Sequence, residues 1–258
     1  MSRPRVLLRG RLSPGGLFVL EPREARRLTK TLRLKAGETV GIFDGRGLEG
    51  EARIQRTGRG WGLEVLRLER ALWVPSLRLN LVQGLARPQR LEWVLQKSTE
   101  LGVSRVGLLR CRRCVSQPQD LKDSGRWRRW CRIMEEASRQ CGRAEVPDLL
   151  GPWELEEFVE FQRGARGLRL VLWEEARSKG LREALEGLET PPGEAWVVVG
   201  PEGGLEEREV ERLVECGFEA VGLGPRILRT ETAGIAALAI LQFSFGDLGG
   251  RRGKEPSR

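Results

Sequence analysis

Leu223-Gly-Pro-Arg-Ile-Leu-Arg-Thr-Glu-Thr-Ala233 sets a Gly-Pro turn, two arginines, two hydroxyls and a carboxylate between an apolar strand and an apolar helix. Upstream, Gly200-Pro-Glu-Gly-Gly204 leaves another apolar strand in the same way. Glycine lacks a Cβ, so backbone amides can approach a ligand closely. Arginines at a helix start suit stabilisation of developing negative charge. No Gly-Lys-Ser/Thr follows either loop, and neither carries G-x-G-x-x-G, which weakens nucleotide-hydrolysing and NAD-linked readings. Alone, the first loop reads as a tight structural turn, and Thr230 and Thr232 read as readily as helix caps. Together the two loops read as a ligand site.

The chain contains no histidine, which excludes His-based triads, His–metal sites and the usual neutral-pH general base. Five cysteines, an odd number, argue against a disulfide framework and for a reducing cytoplasm. Cys111-x-x-Cys114 has zinc or redox spacing. No second pair follows at ribbon spacing, and Cys131 and Cys141 fall in one expected helix, so incidental thiols and no metal site are expected. The opening Met-Ser-Arg-Pro-Arg has no apolar signal core, and no uncharged run reaches the roughly 20 residues of a membrane span.

Charge is divided unevenly. Residues 1–150 carry 31 basic and 16 acidic side chains, a net +15, whereas residues 151–258 carry 14 and 20, a net −6. A basic first half suits a polyanionic partner. An arginine-rich composition with solvated charged faces is the alternative.

The loops need elements to hold them. Residues 1–72 read as short strands, Val6–Leu8, Leu17–Leu20, Thr39–Phe43 and Gly62–Leu68, with a tight Asp44-Gly45 turn. A helical insert, Glu21–Lys35, groups Arg23, Arg26, Arg27, Lys30 and Arg33. This reads as a small β-barrel with a basic helix, a type that commonly binds RNA. After a boundary near Trp73–Ser76, Leu77–Val82, Val103–Leu109, Leu168–Trp173, Trp196–Val199 and Glu219–Leu223 read as strands. Pro88 opens a helix with Leu91, Val94, Leu95 and Leu101 at helical spacing, ending at Gly102. Trp127–Cys141 reads as a basic helix. Glu206–Cys216 reads as one with Val210, Leu213 and Val214 inward, and Ala233–Phe245 as an apolar one. Such alternation specifies an α/β domain with right-handed crossovers over residues 73–248. Its ligands bind beyond the carboxyl ends of the strands. Residues 249–258 read as a basic, frayed tail.

The two loops closely resemble those of bacterial small-subunit rRNA uridine-N3 methyltransferases, the RsmE-type branch of the SPOUT superfamily. Arg90-Leu-Glu-Trp-Val-Leu-Gln-Lys-Ser-Thr-Glu-Leu-Gly-Val103, Glu136-Ala-Ser-Arg-Gln-Cys-Gly-Arg143, Thr31-Leu-Arg-Leu-Lys-Ala-Gly-Glu38 and Phe43-Asp-Gly45 extend the likeness over nearly the whole chain. It departs at Arg26 and Arg27, where the family often has histidine, and in the basic tail. The resemblance implies a PUA-like RNA-binding domain, then an α/β domain with a deep trefoil knot, in a cytoplasmic homodimer. It implies S-adenosylmethionine (SAM) as cofactor, held by Leu172, Gly200, Pro201, Gly203, Leu223, Gly224, Ile227 and Leu228. The substrate would be a specific uridine of 16S rRNA in the small ribosomal subunit, methylated at N3. Arg26, Arg27, Lys30, Arg33, Gln140 and Arg143 are the expected RNA contacts.

N3 must lose its proton, and Watson–Crick pairing uses that atom, so the base must be unpaired or flipped out. Glu231 is one candidate base, with Arg229 beside it expected to lower its pKa. Alternatively, Arg229 and Thr230 stabilise the uridinate oxygens while water takes the proton. Two other functions suit the chain less closely. Ribose 2′-O-methylating SPOUT enzymes usually carry Ser-Glu-Gly and an Asn in these loops. A non-catalytic RNA-binding assembly factor would need only the barrel and its basic face.

Overall fold

The computed structural model describes residues 3–71, 76–115, 121–122, 125–176 and 179–249. The chain groups into two compact units divided near Val74, and Ser138–Val146 groups with the first. The expected boundary at residues 72–73 and the tail beyond Gly249 lie outside the described residues.

In the first unit, strands β1 (Arg5–Leu7), β2 (Leu17–Val19), β3 (Thr39–Phe43), β4 (Leu48–Thr57) and β5 (Gly60–Arg70) form one curled sheet in the order β1-β3-β4-β5-β2. β1 runs parallel to β3, and the other pairs are antiparallel. The β4–β5 register shifts between Glu51 and Ala52, and such an irregularity bends a sheet towards closure. Val6, Leu28, Val40, Ile42, Ile54 and Leu63 fill its core. Asp44 Oδ1 accepts from the amides of Arg46 (2.7 Å) and Leu48 (2.9 Å), and Gly45 takes the left-handed φ of 79° that closes the turn. The helical insert is shorter than expected. Helix α1 (Pro22–Arg26) runs into a π-helical turn, Arg27–Thr31, and Arg33 at φ 56° lies outside the right-handed helical region.

The second unit alternates as expected. Its strands are β6 (Arg78–Gly84), β7 (Arg105–Leu109), β8 (Asp148–Trp153), β9 (Leu168–Leu172), β10 (Glu194–Val199) and β11 (Glu219–Val221). Helices α2 (Pro88–Glu100), α3 (Gly125–Cys141, whose last four residues group with the first unit), α4 (Leu155–Phe161), α5 (Leu181–Glu186), α6 (Glu207–Glu215) and α7 (Thr230–Phe245) complete it. The wholly parallel sheet has the order β11-β9-β10-β6-β7-β8. β10 lies between β9 and β6, and Trp196 to Val199 are all buried. Each such side chain contributes about 1.5–3 kcal/mol of transfer free energy. That explains a strand apolar on both faces.

Four expectations change in this unit. β8, α4 and α5 had no counterpart in the sequence reading. Val214 is 46% exposed while Val210 and Leu213 are buried, so the inward face of α6 is narrower than expected. β11 ends at Val221, two residues early, which frees Gly222 and Leu223 for the loop. α7 begins at Thr230 rather than Ala233, taking both threonines into the helix.

Candidate active site

β9, β10 and β11 end around one cavity of about 780 Å³ in the second unit. Leu172 closes one wall, Gly200 to Glu202 with Gly204 and Leu205 form the second, and Val221 to Thr230 form the third. Two sequence-distant loops thus share one space, because parallel strands expose their carboxyl ends along the same edge.

The first loop is held from below. A Cβ on Gly84 would lie 2.6 Å from Pro201 N and 2.9 Å from Gly200 C, so only glycine lets the end of β6 abut this turn. Buried Gln83 donates from Nε2 to Gly200 O (3.1 Å) and Thr230 Oγ1 (2.8 Å). Thr230 Oγ1 donates to Gly200 O in turn (2.6 Å). Three chain segments are joined by bonds worth about 1 kcal/mol each, and a buried group left without its partner costs more. Thr230 is therefore a cross-link and not a cap. Arg229 occupies the N-cap position of α7, and no side chain caps that end.

The second loop is open to solvent. Gly224 to Ile227 are exposed, Ile227 to 84%, and Arg229 is exposed beside them. Arg226 and Arg229 form no ion pair among the described residues, so two uncompensated positive charges stand on the cavity wall. Glu231 does not pair with Arg229, as the sequence had suggested. Its carboxylate lies 3.8 Å from Arg90 Nη1, which is also 3.7 Å from Glu202. Arg229 and Glu231 are two positions apart at the start of α7, a spacing at which helical side chains do not face each other, and Arg90 on α2 takes the Glu231 carboxylate instead. Arg87 N–H donates to Glu202 Oε1 (2.9 Å), tying the start of α2 to the first loop.

The cavity brings together Leu172, Gly200, Pro201, Leu223, Gly224, Ile227, Leu228, Arg229 and Thr230. Gly203 and Glu231 do not line it. Gly203 faces Arg113 instead, whose Nη1 donates to Gly203 O (3.2 Å). Gln83, Arg90, Glu174, Lys179 and Glu183 were missed. Gln83 had a readable signal, being with Asn80 one of two polar residues in the otherwise apolar stretch Leu79–Leu85, and Arg90 opens one of the stretches that carry the family resemblance.

Arg26, Arg27, Lys30, Arg33, Gln140 and Arg143 belong to the first unit. Arg26, Lys30, Arg33 and Gln140 are exposed. Arg27 is not available to a ligand in the same way, since its guanidinium bonds Glu24 (2.6 Å) and Arg5 O (2.8 Å). The Arg143 carbonyl accepts from Arg5 Nη1 (3.1 Å), which fixes its backbone while the side chain is half-buried. Among the described residues, no three metal-ligating side chains cluster, and no helix is long and apolar enough to cross a membrane.

Residues 74–242 match the family model of an RNA methyltransferase domain, and residues 23–60 match that of an RNA methyltransferase PUA domain. The Ribosomal RNA small subunit methyltransferase E of Bacillus subtilis is 30% identical over 88% of this chain and 90% of its own length. Its namesake from Mycobacterium bovis is 32% identical over 87% and 85%. A Legionella pneumophila protein solved with bound SAM superposes with a TM-score of 0.85 at 33% identity, covering 96% of this chain and all of that one. The Neisseria gonorrhoeae Ribosomal RNA small subunit methyltransferase E, bound to S-adenosyl methionine, gives 0.83 at 32% identity over 95% and 99%. With its cavity built from the two loops and its likeness running the length of both units, this chain belongs to the ribosomal RNA small subunit methyltransferase E family of RNA methyltransferases.

Proposed function

We propose that this protein transfers a methyl group from SAM to N3 of one uridine in the RNA of the small ribosomal subunit. The observation that carries this reading is the cavity between the two loops, in a chain about one-third identical to two proteins solved with SAM. The cavity suits that cofactor chemically. Leu172, Leu205, Ile227 and Leu228 offer apolar surface for a purine, backbone groups of Leu223 to Leu228 offer donors and acceptors for its edge, and Glu174 and Glu202 offer carboxylates to a cation. SAM supplies an electrophilic methyl group on a sulfonium, so positioning and charge stabilisation account for the protein's share of the rate.

In this reading Arg229, exposed and without a carboxylate partner, holds the uridine oxygen that gains negative charge as N3 loses its proton. Thr230 fixes the start of α7 and so aims Arg229. Glu231, engaged by Arg90, serves to anchor that helix end, and water accepts the N3 proton. Arg26, Lys30, Arg33, Gln140 and Arg143 hold the RNA, and binding falls steeply with salt as counterions are released. The proposal extends to a trefoil knot around the cavity, supported by the strand order β11-β9-β10-β6 and by α7 returning to pack on β10 and β6. It extends also to a homodimer, supported by Ile240 and Phe243, 41% and 68% exposed on α7, and to the cytoplasm, supported by the odd number of cysteines.

Incubation with labelled SAM and small subunits lacking the modification, followed by nucleoside mass spectrometry, tests the function. The expected product is 3-methyluridine at one site. A ribose 2′-O-methyl product would establish a different SPOUT activity. Failure to bind SAM by calorimetry would reduce the protein to an RNA-binding assembly factor.

A further inference from the structure

Cys111 and Cys114 share a tight turn after β7. Cys114 N–H donates to Cys111 O (3.1 Å), and Cys111 N–H donates to Cys114 Sγ (3.2 Å). Both sulfurs lie 3.9 Å from the carbonyl oxygen of Leu109. Residues three apart, at the two ends of a hydrogen-bonded four-residue turn, have their Cα atoms within the span a disulfide bridges. Cys111 is 1% exposed, whereas Cys114 is partly open.

This turn is fastened to the first loop of the cavity. Between the cysteines, Arg113 packs so closely that a Cβ on Gly203 would meet Arg113 Cβ at 2.9 Å and its carbonyl oxygen at 3.2 Å. Arg113 Nη1 also donates to Gly203 O. Arg112 N–H donates to Glu209 Oε1 (3.0 Å), while Glu209 Oε2 accepts from Glu206 N–H (2.8 Å) at the start of α6. Both the middle of the loop and its exit are thus tied to the dipeptide between the two sulfurs.

We propose that Cys111 and Cys114 are a peroxide-oxidisable thiol pair whose closure to a disulfide displaces the Gly203 turn and loosens the adjoining cavity. Cys114 is the attacking thiol. Its thiolate sulfur bonds one peroxide oxygen, the O–O bond breaks, and the departing hydroxide takes a proton to leave as water. Cys111 then gives up its thiol proton and attacks Cys114 Sγ; the S–S bond forms, the S–O bond breaks, and a second water leaves. Two thiols are oxidised by two electrons and one peroxide is reduced to two waters. The division of roles follows from the surroundings. The hydrogen bond from Cys111 and the backbone amides of Cys111 and Leu85 lower the Cys114 pKa, whereas that same bond and burial raise that of Cys111. A low-pKa, accessible thiol beside a resolving partner is the arrangement that peroxide oxidises. Disulfide closure brings the sulfurs to about 2.05 Å and turns the peptide bearing Arg112 and Arg113.

The test uses the full chain with Cys131, Cys141 and Cys216 changed to serine, in reduced, hydrogen-peroxide-treated and dithiothreitol-restored forms. Peptide mapping without reductant is expected to find Cys111 linked to Cys114. Amide hydrogen exchange at Gly203 and Gly204 is expected to rise about tenfold on oxidation and recover on reduction. SAM affinity, which rests on the proposed function, is expected to fall about tenfold in parallel. Cys114→Ser and Cys114→Ala should each abolish all three changes. No linked peptide, or a linked peptide with unchanged exchange, would overturn the proposal. A reduced protein that fails to bind SAM would instead overturn the functional reading, leaving the exchange measurement to decide the thiol pair.

Discussion

The two loops that meet at the cavity are built in opposite ways. Gly200 and Pro201 are buried and pressed against Gly84, and the Gly200 carbonyl accepts from Gln83 and Thr230, so their shape is set by the sheet beneath them. Gly224 to Ile227 project into solvent, and the two arginines of that loop lack counter-ions among the described residues. A preformed wall carries its ordering cost within the folding free energy, which favours ligand binding. An open wall keeps its charges unspent until something anionic arrives. The pairing therefore separates stability from chemistry, one loop carrying each.

Substitutions can break that division. Arg229→Ala is expected to have the largest effect, lowering single-turnover methyl transfer about 10²–10³-fold while SAM affinity and melting temperature stay near wild type. Equal losses in SAM affinity would move Arg229 to the cofactor side. Gly84→Ala should come next, destabilising the chain by about 3 kcal/mol in denaturant titration, because the new methyl group meets backbone atoms that cannot rotate away. A neutral result would mean that the first loop is not fixed from below. Thr230→Val keeps the volume but removes the hydroxyl shared by Gln83 and Gly200, with an expected loss of about 1–2 kcal/mol and a lower melting temperature. Ile227→Ala tests the open loop. Stability should remain within about 0.5 kcal/mol, since the side chain is 84% exposed, while calorimetry should show SAM affinity falling about fivefold.

The smallest effect lies away from both loops. Arg129 bonds Glu92 at 2.5 and 2.8 Å, and that bond holds the Glu92 carboxyl below its ordinary pKa. A carboxyl whose folded pKa is depressed contributes stability above its ordinary pKa and loses it as pH falls through the lowered one. Glu92→Gln should therefore lower the melting temperature slightly at neutral pH and low salt, with the difference vanishing in acid and at high salt. A larger difference in acid would reverse the assignment.

The second unit was more legible than the first, for a physical reason. Buried parallel strands such as Trp196–Val199 are apolar on both faces and stand out from their flanks. β4, Leu48–Thr57, buries only Ala52 and Ile54 among charged and polar neighbours, so its pattern resembles a loop. β8 contains Gly151 and Pro152, which normally punctuate a strand, and α4 and α5 are too short for a helical period to emerge. At the site, glycines and arginines were visible from their types alone. The partner of Glu231 was not, because Arg90 lies on a helix far away in sequence and only the fold brings it closer than Arg229. Thr230 was legible as a polar group at a helix start, but its bond to Gln83 depends on where β6 ends.

The order of the six-stranded sheet has a colloidal consequence. Its two outer strands are β11, three residues long, and β8, whose Pro152 has no amide hydrogen to donate. An open sheet invites another chain to zip along its unpaired rim, and shortness and proline are both known deterrents. Neither rim of this sheet is a long, regular template for such stacking, so the sheet's own margins discourage fibril-like self-association of this basic protein.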